Sequence, residues 1–253
     1  MNNVYSSNAW ILSSPPTPHI RMRLFCFPSA GSGAAMYRFW SDDLPAQIEV
    51  CRIQAPGREN RLREPPFTRL DPLVHRLVSI LHPHLDLPFA FFGHSLGALV
   101  SFELARQLRK QYGLSPVQLF VSACRAPQHV APEAAIHDWP EAAFVAEMCR
   151  RYQGIPKAVL HHAELMELLL PTLRADMAVF ETYLYTDDAP LDCPIAVFGG
   201  IQDSWVDQAA LAAWRHQTRR AFTLRMFPGD HFFLQHAHTP LLRAMVEELN
   251  RTT

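Results

Sequence analysis

The segment that decides the fold is Pro88-Phe-Ala-Phe-Phe-Gly-His-Ser95-Leu-Gly-Ala-Leu-Val100. An apolar run of strand length meets Gly-His-Ser-Leu-Gly, and a helix-compatible segment follows. This is a G-x-S-x-G pattern between strand and helix, where a sharp turn presents a serine hydroxyl. Gly93 and Gly97 leave room for the strand and the helix to pass closely. We therefore predict that Ser95 is a nucleophile and that the amide of Leu96, at the helix N-terminus, helps to stabilise an oxyanion.

The composition is that of a globular protein with a sizeable core. Of the 253 residues, 49% are apolar, and 23 basic and 24 acidic residues give a formal net charge of -1. Acidic and basic residues are mixed along the chain, so neither a nucleic-acid partner nor a membrane partner is expected. No uninterrupted apolar stretch has the length needed to cross a bilayer. The first 18 residues lack the basic and apolar pattern of a secretory signal.

The cysteines predict a reduced protein of the cytoplasm. They are odd in number and widely spaced, and they include no C-x-x-C pair: Cys26, Cys51, Cys124, Cys149 and Cys193. Three of them lie in strand-like runs, where a thiol behaves as a small buried hydrophobe. The thirteen histidines leave zinc as the alternative, but no histidine pair joins a cysteine or carboxylate with ligand spacing. We therefore expect neither a metal nor a cofactor.

Strand-like and helix-like segments alternate along most of the chain. Strands are predicted at about residues 9–12, 20–27, 48–55, 88–92, 117–123, 195–198 and 222–227. Helices are predicted at about 36–44, 71–81, 96–112, 139–152, 162–185, 208–218 and 240–249. The alternation favours a single α/β domain over residues 1–253, with a central sheet flanked by helices. Its core comprises about 20–126 and 191–253, and about 127–190 form an insertion.

The insertion contains two predicted helices with broad apolar faces and no strand signal. It lies between two core strands, at the edge of the sheet where sites of α/β proteins form. We therefore predict a helical lid over the site, with Met177 and Phe180 on its wall. Ordinary core packing is the alternative role for these two side chains.

Two loops before the central strand are candidates for the site. Pro28-Ser-Ala-Gly-Ser-Gly33 follows an early strand, and in a serine hydrolase such a small-residue loop supplies the second oxyanion amide. Ala30 is the predicted donor. The charged segment from Arg58 to Glu64 is either a solvated connection or part of the rim of the site.

A serine nucleophile needs a base within hydrogen-bond reach and an acid that orients the base. The carboxyl ends of parallel strands share one edge of the sheet, so the loops that follow them converge. His231 follows the last predicted strand, and Asp203 follows the strand before it. We predict that His231 is the base and Asp203 the acid, with Asp207 as the competing acid.

Six pieces of the sequence together resemble a known family. They are Phe27-Pro28 with the Ala30-Gly31 loop, Pro56-Gly57-Arg58-Glu59-Asn60, Gly93-His94-Ser95-Leu96-Gly97, Leu173-Arg174-Ala175-Asp176, Phe198-Gly199-Gly200 with Asp203, and Pro228-Gly229-Asp230-His231-Phe232. The chain resembles the type II thioesterases that accompany modular polyketide and nonribosomal peptide synthases. The likeness extends from about Leu24 to Phe233. The second and fourth pieces are much more specific than G-x-S-x-G.

The resemblance implies an α/β-hydrolase fold with a helical lid and a Ser95–Asp203–His231 triad. It implies hydrolysis of acyl thioesters on the phosphopantetheine arm of acyl- or peptidyl-carrier proteins, which removes misloaded or stalled acyl groups. We expect a monomer. A thioesterase that releases a finished medium-chain fatty acyl product is the alternative within enzymes, and a non-catalytic module that binds carrier proteins is the alternative outside them.

Two positions depart from the usual pattern of that family. The loop from Ser29 to Gly33 lacks the usual aromatic residue and Gly-Gly pair, and Leu96 stands where methionine is common. Because the expected donors are backbone amides, neither change is expected to remove the activity.

Overall fold

The computed structural model describes residues 9–13, 19–130, 135–152 and 162–252. Within these residues, seven strands form one sheet in the order β1-β3-β2-β4-β5-β6-β7, in which only the β1–β3 pair is antiparallel. The strands are β1 (Ile11–Leu12), β2 (Met22–Phe27), β3 (Ile48–Ile53), β4 (Phe89–His94), β5 (Gln118–Ser122), β6 (Ile195–Gly200) and β7 (Phe222–Phe227). The predicted class, an α/β fold with a mostly parallel sheet, is confirmed.

Helices cover both faces of this sheet. The α-helices are α1 (Trp40–Asp43), α2 (Leu70–Leu81), α3 (Leu96–Tyr112), α4 (Glu141–Tyr152), α5 (Ala163–Glu181), α6 (Gln208–Ala212) and α7 (His238–Thr252). Buried residues of α2, α3 and α6 pack on one face, and those of α1 and α7 pack on the other. Among these helices, none is both long and apolar enough to cross a membrane.

The central strands are apolar at nearly every position because both of their faces are covered. Every residue of β4, β5 and β6 is buried. Successive side chains alternate between the two cores, so that Phe91 belongs to the cluster of α2 and α3 and Phe92 to the cluster of α1 and α7. The sheet thus fixes the position of the residues that follow its carboxyl ends.

Two predicted helices are each divided into a 3-10 turn and a short α-helix, and a tertiary hydrogen bond lies at each division. Residues 36–44 divide into a 3-10 turn, Ala34–Tyr37, and α1, and Tyr37 Oη donates to the carbonyl of Phe27 at 2.7 Å. Residues 208–218 divide into α6 and a 3-10 turn, Ala213–Gln217, in which Trp214 Nε1 donates to the carbonyl of Cys124 at 2.7 Å.

The insert helices, α4 and α5, lie between β5 and β6 in the chain. Parts of the predicted insertion, residues 131–134 and 153–161, lie outside the described residues. Helix α5 continues through Pro171. Buried side chains of both helices form a small cluster with Ile136, which precedes α4: Phe144, Met148, Leu170, Leu173 and Met177. Helix α5 also holds the segment before α4, since Arg174 donates to the carbonyl of His137 at 2.6 Å.

Candidate active site

In the turn between β4 and α3, the positions two residues before and two residues after Ser95 have room only for glycine. A Cβ on Gly93 would lie 2.3 Å from the carbonyl oxygen of Gly97, and a Cβ on Gly97 would lie 2.1 Å from that of Phe27. Ser95 itself has φ 53° and ψ -117°, a conformation that side chains rarely adopt. Its amide donates to the carbonyl of Ser122 at 2.8 Å, which ties the turn to β5. The strained turn presents Ser95 Oγ at the edge of the sheet.

The structure brings the three predicted side chains into one hydrogen-bonded series. Ser95 Oγ lies 3.0 Å from His231 Nε2, and His231 Nδ1 lies 2.8 Å from Asp203 Oδ2. His231 follows β7 and Asp203 follows β6, so both lie at the carboxyl edge where β4 ends. The competing Asp207 accepts instead from the amide of Ala210 at 2.7 Å and caps α6.

Hydrogen bonds keep the Asp203 carboxylate ionised despite its burial. Burial alone would raise the pKa of Asp203, but the hydrogen bond and charge of His231 lower it. The amides of Trp205 and Val206 add to this effect, donating to Oδ1 at 2.9 Å and 3.0 Å. The net result is a pKa below the ordinary value of a carboxyl group. An ionised Asp203 can only accept a hydrogen bond, so His231 Nδ1 donates to it, and in the neutral ring Nε2 is left to accept from Ser95.

A second histidine lies close to this series but differs in its environment. His94 is completely buried, with its ring centroid 5.5 Å from that of His231 and its Nδ1 2.9 Å from Ser122 Oγ. The pKa of His94 lies well below its ordinary value. The main cause is burial, and the positive charge that His231 can carry adds to the effect. His94 is therefore neutral.

Ser95 opens onto a largely apolar cavity of about 450 Å³. Met177 and Phe180 of α5 lie on its wall, and Ala30 and Leu96 also line it. Its other apolar lining residues are Met36, Met148, Met166, Leu169, Leu170, Leu173, Trp205 and Phe232. The cavity suits an apolar group attached to the atom that Ser95 attacks.

The two predicted oxyanion donors differ in their origin. Leu96 is the first residue of α3, so its amide has no acceptor within the helix and shares the positive end of the helix dipole. Ala30 lies in the loop between β2 and the following 3-10 turn. Both line the cavity beside Ser95, where amides could stabilise negative charge.

Sequence reasoning missed the side chain that joins the histidine to α5. The ring of Trp205 lies edge-on to His231, with centroids 5.5 Å apart, and 5.6 Å from the ring of Phe180. Trp205 follows Asp203 by two residues, in the same loop. Its position in that loop was the available signal, since residues beside Asp203 lie at the same edge of the sheet.

The charged loop after β3 belongs to the rim of the site, and Arg58 in it is buried. Arg58 Nη1 and Nη2 donate to the two carboxylate oxygens of Asp176, each at 2.9 Å. The side chains of Arg58 and Asp176 are only 7% and 5% exposed. This pair joins the two pieces of sequence that made the family resemblance specific. The solvated connection, which the sequence left open, is excluded for Arg58.

A second hydrogen-bond network, centred on the buried side chain of Gln54, supports the turn that follows the Ala30 loop. Gln54, at the end of β3, accepts from the amide of Ala34 at 2.8 Å and donates to Glu59 Oε2 at 3.1 Å. Glu59 Oε1 accepts from the amide of Ala35 at 3.0 Å. A Cβ on Gly33 would lie 2.3 Å from this same Glu59 oxygen. The side chains after β3 therefore set the path of the chain after β2.

The comparison with known families agrees with this site. The model of the thioesterase domain matches residues 22–251. The chain belongs to the thioesterase family. This thioesterase is 44% identical over 249 residues to the gramicidin S biosynthesis protein GrsT of Aneurinibacillus migulanus, covering 98% of this chain and 97% of GrsT.

Solved structures and a second group of relatives complete the comparison. The type II thioesterase BorB, from the borrelidin biosynthetic cluster, has a TM-score of 0.85 and 32% identity over 97% of this chain and 98% of BorB. The medium-chain S-acyl fatty acid synthase thioesterase of Rattus norvegicus is 31% identical, covering 86% of this chain and 83% of that protein. This thioesterase is thus a thioester hydrolase with an α/β-hydrolase fold, and the predicted resemblance to type II thioesterases is confirmed.

Proposed function

We propose that this thioesterase removes acyl groups from the phosphopantetheine arm of carrier proteins in a polyketide or nonribosomal peptide pathway, with Ser95, His231 and Asp203 as its catalytic triad. The hydrogen-bonded series that opens onto the apolar cavity carries this proposal. GrsT, a gramicidin S biosynthesis protein, and BorB, from the borrelidin cluster, support the class of pathway.

In the proposed reaction, His231 takes the proton of Ser95 as Oγ attacks the thioester carbonyl. The resulting oxyanion accepts hydrogen bonds from the amides of Ala30 and Leu96. When the C–S bond breaks, the proton on His231 passes to the leaving thiolate, and an acyl group remains on Ser95. Water, deprotonated by His231, then attacks the acyl carbonyl; the bond to Ser95 Oγ breaks, His231 returns the proton to Oγ, and a carboxylic acid is released. Asp203 holds the ring of His231 and stabilises its charged form throughout.

We further propose that the insert helices act as a lid on an α/β-hydrolase core. Met177 and Phe180 would limit the size of the acyl group, because they form part of the cavity wall. A flexible phosphopantetheine arm would have to pass these helices to bring its thioester to Ser95. Every residue proposed to act comes from one chain, so we expect a monomer to suffice.

A panel of acyl-carrier proteins, analysed by mass spectrometry, tests the proposal. The thioesterase should return acyl-carrier proteins to the free-thiol form, and Ser95→Ala should not. Loss of short and branched acyl units would indicate editing. Selective loss of one medium-length chain would indicate product release, which the lower identity to the Rattus norvegicus enzyme makes the second candidate. Carrier-protein binding without hydrolysis, together with no labelling of Ser95 by a fluorophosphonate, would favour the non-catalytic module.

A further inference from the structure

Helix α5 is hydrogen-bonded directly to the loop that carries Ala30. Asp176 Oδ2 accepts from the amide of Gly31 at 2.7 Å, and this amide belongs to the peptide group that begins at the carbonyl of Ala30. Arg58 Nη1 donates to the carbonyl of Ser32 at 3.0 Å. The two partners of the buried ion pair therefore hold consecutive residues of the loop. Both contacts are charge-assisted, the stronger kind of hydrogen bond.

The same helix packs against this loop through neighbouring side chains. Leu173 lies beside Gly31, where an added Cβ would come within 3.0 Å of Leu173 Cδ1. Gly31 has φ 72°, which other residues rarely adopt. Thr172, one helical turn before Asp176, donates to the carbonyl of Gly57. Consequently, α5 contacts both loops of the rim through one short stretch, and that stretch adjoins the cavity wall at Met177.

We infer that Asp176 and Arg58 are positioning residues for hydrolysis, which hold the Ala30 amide toward the oxyanion only when α5 is seated. The inference rests on the proposed function, because it gives Ala30 the role of oxyanion donor. It assigns α5 two tasks at once: its side chains contact the acyl group, and its carboxylate sets the oxyanion loop. A poorly fitting acyl group that displaces α5 therefore lowers the rate of reaction as well as the affinity.

Asp176→Asn is the variant that tests this inference. Asparagine keeps the shape and one acceptor oxygen, but it loses the charge that holds Arg58. We expect kcat to fall about 10²-fold, the usual effect of losing one oxyanion donor, with KM unchanged. A trifluoromethyl ketone analogue, which forms a tetrahedral oxyanion on Ser95, should lose affinity by the same factor. A matched thioether without the carbonyl should bind as before.

Two other carboxylates of α5 serve as matched controls. Glu167 is exposed, so Glu167→Gln removes one charge from α5 and should change nothing. Glu181 is buried, and it accepts from the amides of Ile136 and His137 at 3.0 Å and 3.1 Å. Glu181→Gln therefore weakens the contact of α5 with the segment before α4 and leaves the contacts of Asp176 and Arg58 with the Ala30 loop in place. An equal loss of analogue affinity in Glu181→Gln and Asp176→Asn would overturn the assignment to Asp176.

Ala30→Pro, which deletes the amide, separates failure of the inference from failure of the proposed function. If Ala30→Pro loses kcat and analogue affinity but Asp176→Asn keeps both, the inference is wrong and the oxyanion role stands. If Ala30→Pro keeps both, the role of Ala30 and the inference fail together. Circular dichroism and thermal unfolding check that each variant is folded. Should Asp176→Asn be unfolded, the double variant Arg58→Gln/Asp176→Asn, without buried charge, gives the same measurement.

Discussion

The sheet edge that carries Ser95, Asp203 and His231 is held together differently from the insert helices that wall the cavity. At the edge, each of the three residues lies in the turn or loop that directly follows a strand of the sheet, and Asp203 is also fixed by amides two and three residues away. The insert helices depend on side chains from distant segments, since Asp176 lies 118 residues from Arg58 and 145 from Gly31. Local sequence patterns thus place each residue of the edge, whereas long-range side-chain pairs hold the insert helices in position.

The largest effect expected at the edge follows from Asp203→Asn. The amide cannot fix His231 in the required tautomer, so kcat should fall on the order of 10⁴-fold while the fold survives. Asp207→Asn is the matched control, because asparagine caps a helix about as well as aspartate and should leave turnover near normal. Thioester hydrolysis with colorimetric detection of the released thiol measures both variants. Near-normal turnover in Asp203→Asn with a loss in Asp207→Asn would reverse the assignment.

The rigidity of the edge is tested by Gly97→Ala. The added methyl would overlap the carbonyl of Phe27 at 2.1 Å, with backbone on both sides and no route of relief. We expect a loss of more than about 3 kcal/mol in the free energy of unfolding, since both partners are backbone. Gly113→Ala is the control: Gly113 has φ 67° and no atom within 4 Å, so only backbone strain of about 1–2 kcal/mol applies. Urea unfolding compares them, and equal losses would contradict the close contact.

The insert helices are tested by Met177→Ala against Met245→Ala. Both methionines are buried, but only Met177 faces the cavity, while Met245 packs between α7 and the sheet. Met245→Ala should cost roughly 2 to 5 kcal/mol of stability with an unchanged acyl preference. Met177→Ala should cost less and should shift kcat/KM toward longer acyl thioesters. The same measurements on Phe180→Ala extend the test. Unchanged chain-length profiles in both variants would show that these two side chains do not limit the length of the acyl group.

The smallest expected effect is the pH dependence of stability. Because the pKa of Asp203 is lower in the folded protein than in the unfolded chain, its contribution is complete above about pH 4. The contribution is lost as the pH falls through the lowered value. Asp203→Asn should therefore reduce the acid dependence of the free energy of unfolding, and Asp207→Asn should keep it. The free energy of unfolding, measured with denaturant between pH 2.5 and 6, tests this prediction. Identical pH profiles of that free energy in wild type and Asp203→Asn would contradict the lowered pKa.

The sequence predicted the sheet edge well because its signals are short. Gly93 and Gly97 around Ser95 indicate a tight turn that only glycine permits. The loops that contain Asp203 and His231 directly follow apolar strands. Helix ends were less accurate, as at residues 208–218, where the Trp214 hydrogen bond to Cys124 shortens α6. Local propensity contains no information about such a partner.

The long-range side-chain contacts could not be predicted from one sequence. Arg58 and Asp176 lie in two segments that carry the family resemblance, but neither segment indicates that it contacts the other. The same holds for Trp205, whose contact with Phe180 depends on how α5 lies across the site. In the sequence, an arginine of a charged loop that will be buried cannot be distinguished from a solvated one until the position of its partner is known. Side-chain pairing over more than a hundred residues is a property of the assembled fold.

Capture of the acyl-enzyme tests the central claim most directly. The thioesterase is mixed with an acyl thioester, quenched in acid within the first turnover and digested, and the peptide that contains Ser95 is weighed. Our account predicts that this peptide gains the mass of the acyl group, that the label is on Ser95, and that Ser95→Ala gives neither label nor hydrolysis. Hydrolysis that proceeds in Ser95→Ala, or an acyl group found on another residue, would contradict it.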